Sequence, residues 1–186
     1  MTTTSTDPST QVGASRAFVC LSHSPFMTLP DAQDVGLGYR GAVDQVRAFI
    51  DDFAADVVVL FAPDHMNLLN EVRPPFTGVL SGRTLPEFGI PEIPLTVHPI
   101  ATELYRAMVQ TDVDLAVAEN VSVDHGMGLT LTQLFDEPSV VPLVPIIVNA
   151  IGFPLFPVAR AARVGAILGR ALSGAPNASC SSVPGA

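Results

Sequence analysis

Lysine is missing from this 186-residue chain; its 9 basic side chains are all arginines, against 18 acids, for a formal charge of −9. No basic cluster forms anywhere, which argues against a nucleic-acid partner. Net negative charge does not exclude an anionic ligand, since one well-placed arginine can outweigh it locally. Cysteine is almost absent: Cys20 and Cys180 lie far apart and form no CxxC pair, so the expected setting is reducing and cytoplasmic. Residues 1–15 are Ser/Thr-rich without the apolar core of a secretory signal. No apolar stretch reaches membrane-spanning length without proline, glycine or charge, and no internal repeat is visible.

What is present is apolar. Hydrophobic residues make up 48% of the chain and mean hydropathy is +0.41, which excludes general disorder. The length suits one domain with a sizeable core. The 14 glycines and 17 prolines punctuate apolar runs instead of clustering. Residues 1–15 read as a disordered leader. Strands are expected at Arg16–Leu21, with Cys20 buried in it, and at Asp56–Phe61, whose Val-Val-Val-Leu-Phe run suits a strand covered on both faces. Further strands are expected at Phe76–Leu80, Leu115–Ala118 and Val144–Val148. Apolar spacing predicts helices over Asp34–Phe53 (best from Gly41), Pro99–Gln110, Gly126–Phe135 and Pro157–Leu172. Alternation of the two predicts an α/β fold with a mostly parallel sheet flanked by helices. Residues 66–98 are too long and irregular for a plain connection and read as part of a binding surface.

Histidine carries most of the chemical signal. His23, in Leu21-Ser22-His23-Ser24-Pro25, and His65, in Ala62-Pro63-Asp64-His65, each follow an expected strand and are bracketed by turn residues. Ligands of open α/β sheets bind at the carboxyl ends of strands, and imidazole is the commonest metal ligand. The pair is therefore a candidate for two ligands of one metal site. His125, between Asp124 and Gly126 at a strand-to-helix turn, reads either as a general acid–base group or as a plain helix entry capped by Asp124. His98, in a proline-rich connection, reads as an ordinary polar residue. Arg73, in Glu71-Val72-Arg73-Pro74-Pro75, is a candidate carboxylate partner or a solvated loop charge.

Together, Leu21-Ser22-His23-Ser24-Pro25, Leu60-Phe61-Ala62-Pro63-Asp64-His65, Pro74-Pro75-Phe76 and Val123-Asp124-His125-Gly126 resemble, in order and spacing, the class III extradiol ring-cleavage dioxygenases. The resemblance runs from about Phe18 to Leu172. It implies a non-haem Fe(II) enzyme that inserts both atoms of O2 into a catechol beside the diol, in aromatic catabolism. It implies His23 and His65 as iron ligands and His125 as acid–base catalyst. The substrate type implied is a phenylpropanoid catechol with a propionate or acrylate tail, for which Arg73 is the candidate partner. Family-like homo-oligomers are implied as well.

The family also uses a glutamate ligand and a second acid–base histidine from further along the chain. Here no histidine follows His125, and the last acid is Glu137. Asp64 and Asp124 are expected to point away from any metal. The expectation is that residues 16–172 are the N-terminal part of a catalytic domain cut short by a frameshift or premature stop, with 173–186 an aberrant or disordered tail. Two alternatives follow: an inactive remnant without catalysis, and a metal-dependent hydrolase on a similar fold. Fe(II)-dependent turnover separates the first from an enzyme, and tolerance of Zn(II) replacement would favour the second.

Overall fold

The computed structural model describes residues 16–28 and 36–174. The expected leader, nearly all of the expected tail, and Cys180 lie outside the described residues. A four-stranded sheet runs in the order β1 (Val58–Pro63), β6 (Leu143–Val148), β2 (Phe76–Val79), β4 (Leu115–Ala118). The β1–β6 and β2–β4 pairs are parallel, and β2–β6 is antiparallel. A separate parallel pair joins β3 (Gly82–Thr84) to β5 (Val121–Val123). The α/β architecture with a mostly parallel sheet is thus as expected from the sequence.

Side-chain alternation splits the core. On one face Phe76, Val144 and Ile146 pack with Leu104, Tyr105 and Met108 of α2 (Ile100–Gln110) and Val164, Ile167 and Leu168 of α4 (Val158–Gly174). On the other, Ala62, Val79, Leu143 and Ile147 pack with Met127 and Leu131 of α3 (His125–Leu134). Helix α1 (Leu37–Phe53) buries only Val43 and lies over α3, where the Tyr39 hydroxyl lies 2.8 Å from the Gln133 side-chain amide and Arg47 pairs with Asp136.

Gly78 marks a close approach of helix to sheet. A Cβ there would lie 2.7 Å from the ring of Tyr105, whose hydroxyl donates to the Pro145 carbonyl at 2.6 Å. Burial raises the Tyr105 pKa, and the hydroxyl stays a protonated donor. Pro145 itself falls just past the end of the β2 ladder, where its missing N–H costs least. Gly78→Ala is expected to destabilise the chain by about 1–3 kcal/mol through overpacking, as read by urea unfolding. A change under about 0.5 kcal/mol would show that the ring simply yields.

Two expectations are corrected. Arg16–Leu21 forms no strand: among the described residues no strand pairs with it, Phe18 is 93% exposed and Cys20 is exposed instead of buried. Propensity without a partner surface does not make a strand. Second, β1 is an edge strand with Phe61 exposed, not a strand covered on both faces. The covered strands are the two central ones, β2, buried throughout, and β6, buried from Leu143 to Ile147.

Candidate active site

The end of β1 and the start of α3 are locked together. Asp64, 3% exposed, accepts from the N–H groups of Asn67, Leu68 and Leu69 at 2.9–3.0 Å. That turn fixes the direction in which His65 leaves the strand. Asp124 caps α3 by accepting from Gly126 N–H at 2.8 Å. Gly126 is required by proximity: a Cβ would lie 2.6 Å from the Pro63 carbonyl oxygen. The close approach stacks the rings of His65 and His125, 4.2 Å apart and 17° from parallel.

His23 arrives by another route. It sits in a loop leading to a 3-10 turn at Pro25–Thr28, not at a strand end. Tyr39 of α1 holds the loop, donating to the Ser22 carbonyl at 2.5 Å. The three imidazoles converge: His23 lies 5.1 Å from His65 and 6.3 Å from His125, ring centre to ring centre. His23 Nε2 and His65 Nε2 are 3.2 Å apart. Two nitrogen donors at about 2.1 Å from one ion and at right angles would be about 3.0 Å apart, so the pair fits adjacent corners of an octahedral shell.

Each of the stacked histidines has its own carboxylate. Asp124 Oδ2 accepts from His65 N–H at 2.5 Å and lies 3.2 Å from His65 Nδ1. Glu87 Oε1 accepts from His125 N–H at 2.7 Å and lies 3.0 Å from His125 Nδ1. Asp124 thus does not point away from the cluster, which corrects that expectation; Asp64, bound to its own turn, does. His65, Asp124 and His125 also form a compact donor set, with ligand atoms within 4.8 Å of one another. Both Asp124 oxygens are already engaged by backbone N–H groups, which suits orienting His65 better than binding a metal directly. Arg73 bonds elsewhere: Nε donates to the Asn70 carbonyl at 2.9 Å and Nη1 makes a long contact to Phe153. His98 accepts from Ile100 N–H at its own helix entry, as an ordinary polar residue would.

Glu87 escaped the sequence reading. Its signal was slight, an acid and an aromatic between turn residues in Pro86-Glu87-Phe88-Gly89, inside the long irregular segment assigned to a binding surface.

Burial lowers the His23 pKa from 6.5, the neighbouring His65 and His125 lower it further, and Asp124 opposes them. The native state therefore binds fewer protons here than the unfolded chain just below 6.5. The His23 contribution to stability is full above that value and is lost as pH falls through the lower native pKa. Urea midpoints from about pH 7.5 to about pH 5 are expected to fall, and less steeply in His23→Ala. Equal slopes would contradict the assignment.

Residues 17–178 match the family described as the catalytic LigB subunit of aromatic ring-opening dioxygenase. The chain is 36% identical over 161 residues to the 2,3-dihydroxyphenylpropionate/2,3-dihydroxicinnamic acid 1,2-dioxygenase of Mycolicibacterium vanbaalenii, covering 85% of this chain and 51% of that protein. It is 37% identical over 158 residues to the protein of the same name from Rhodococcus jostii, covering 83% and 50%. Against that of Xanthobacter autotrophicus it is 33% identical over 154 residues, covering 81% and 49%. The chain spans about half the length of the curated relatives it matches.

Proposed function

From the premise that this chain belongs to the family of catalytic LigB subunits of aromatic ring-opening dioxygenases, we propose that it takes part in extradiol cleavage of a catechol of the 2,3-dihydroxyphenylpropionate or 2,3-dihydroxycinnamate type. The observation that carries this reading is the 3.2 Å approach of His23 Nε2 to His65 Nε2 beside a third imidazole. In the proposal His23 and His65 would hold Fe(II), and Asp124 keeps the His65 ring in place. The chemistry a ferrous ion supplies when bound is joint coordination of the two catechol oxygens and activation of O2. His125 moves the protons released when the catechol binds and required when the ring opens. The balance is simple: one carbon–carbon bond beside the diol breaks, and both oxygen atoms of O2 enter the product.

Arg73 is proposed to bind the carboxylate tail. Arg73→Ala is then expected to raise KM about tenfold or more for a tailed catechol and leave plain catechol nearly unchanged. Equal effects on both substrates would remove Arg73 from the site.

The reaction suits a reducing cytoplasm, and among the described residues no helix is long and apolar enough to cross a membrane. Assembly into homo-oligomers belongs to the same proposal and is read by sedimentation. A second reading, metal binding without turnover, is favoured by the engagement of both Asp124 oxygens. One assay separates the two. The chain is loaded anaerobically with Fe(II), given 3-(2,3-dihydroxyphenyl)propionate and air, and followed for yellow ring-opened product beside a His125→Ala control. Product above the control supports the dioxygenase; none from a folded, iron-loaded chain sinks it.

A further inference from the structure

We propose that Glu87 is the positioning residue of His125, fixing the imidazole in the Nδ1–H tautomer so that Nε2 carries the free lone pair. The inference rests on the reading of His125 as the acid–base group, and it assigns a role to a side chain outside the histidine motifs. One carboxylate oxygen meets both the backbone N–H of His125, at 2.7 Å, and its Nδ1, at 3.0 Å. An ionised carboxylate only accepts, so the nitrogen facing it carries the proton. Two contacts from one residue to one oxygen also fix how the ring is turned relative to its own backbone.

The loop that presents Glu87 is built for the task. Leu85 N–H donates to the Val123 carbonyl at 2.8 Å, tying the loop to β5 just before the Asp124 cap. Ile90 N–H returns to the Glu87 carbonyl at 2.8 Å, closing a tight turn. The turn needs left-handed backbone at Phe88 (φ 48°) and Gly89 (φ 79°), an uncommon conformation for a phenylalanine. Phe88 sets its ring edge-on to His125, with centres 4.9 Å apart. Ile90, 4% exposed, packs over Gly128 of α3, where a Cβ would lie 3.2 Å from its side chain. Helix α3 therefore has a notch for the loop one turn from the residue that the loop orients. Strained backbone held by packing around a polar contact is the pattern of a functional constraint.

The arrangement matches that of the neighbouring ring. His65 is held at Nδ1 by Asp124 as His125 is by Glu87, and the two rings stack nearly parallel. Each therefore presents the opposite corner, Nε2, for chemistry. In one ring that corner faces His23 Nε2; in the other it is left to hold or move a proton.

The test is the tautomer itself, read by long-range 1H–15N correlation on the full chain labelled at histidine. It is recorded without metal or substrate at alkaline pH, with His125 assigned by loss of its signals in His125→Ala. In the unmodified chain the Nδ1–H form is expected to dominate by about tenfold or more, the ratio given by one hydrogen bond to a charged acceptor. Glu87→Gln, whose amide oxygen still accepts, is expected to keep that form. Glu87→Ala is expected to shift His125 toward the Nε2–H form that free imidazole prefers. An Nε2–H tautomer in the unmodified chain would overturn the proposal. So would an unchanged tautomer in a folded Glu87→Ala chain, the result if Glu87 merely ties down its loop. If Glu87→Ala does not fold, the unmodified chain and Glu87→Gln still decide. Because neither metal nor turnover enters the measurement, a failure of the dioxygenase reading in the ring-cleavage assay is a separate result.

Discussion

If the proposed dioxygenase function holds, His23→Ala and His65→Ala are each expected to weaken Fe(II) binding by more than about a hundredfold, beyond the range seen when only an outer partner is lost, and to abolish the proposed ring cleavage. The reason is geometric. The two Nε2 atoms lie 3.2 Å apart, and removing either leaves one imidazole of the pair to hold the ion. Both variants should fold, since His23 and His65 belong to neither apolar core. Competition against a chromophoric chelator measures the affinity, and circular dichroism checks the fold. The pair also discriminates between sites. Loss in His65→Ala with full retention in His23→Ala would move the metal to the His65–Asp124–His125 set.

Asp124→Ala carries the second large effect, and here stability and metal affinity fall together. The side chain is 4% exposed; it caps α3 through Gly126 and holds both the backbone and the ring of His65. Losing a helix cap costs about 0.5–2 kcal/mol, and leaving buried N–H groups unpaired costs about 1–3 kcal/mol. The expected loss is about 2–4 kcal/mol in urea unfolding, with metal affinity down about 10–100-fold. Asp124→Asn should recover part of the stability, because its amide oxygen can still cap. It should recover less of the affinity, because a neutral amide no longer fixes the His65 tautomer by charge. A loss under about 0.5 kcal/mol in Asp124→Ala, no more than an ordinary surface change, would show that water replaces the carboxylate without penalty.

The sequence was legible where local pattern and tertiary role coincide. Helix α2 and the second half of α4 have apolar spacing that matches the face they bury, although Val158 at the start of α4 is exposed, and the Asp-His-Gly turn carries its cap, its imidazole and its close approach in three consecutive residues. Arg16–Leu21 was not legible, because whether an apolar hexapeptide becomes a strand depends on a neighbour that its own residues do not specify. The Val-Val-Val-Leu-Phe run misled for a related reason: an apolar run does not say whether its strand is central or at an edge, and the central places went to β6 and β2. At the site, the histidines were found because each stands beside turn residues. Asp124 was misread because its neighbour in sequence, His125, is not the histidine it serves. Glu87 reaches His125 across 38 residues from a segment without periodicity, so no spacing rule connects them.

The contact of Gly126 with Pro63 makes His65 and His125 parts of one rigid block, the seam between β1 and α3. His23 belongs to a different mechanical body, an N-terminal strap moored through Tyr39 near His23 and through Arg16 to Gly169 and Ser173 of α4. An ion shared by His23 and His65 would therefore be a rivet between strap and block as much as a reagent. Removing it would loosen the His23 end of the strap first, while the seam between β1 and α3 keeps its own contacts.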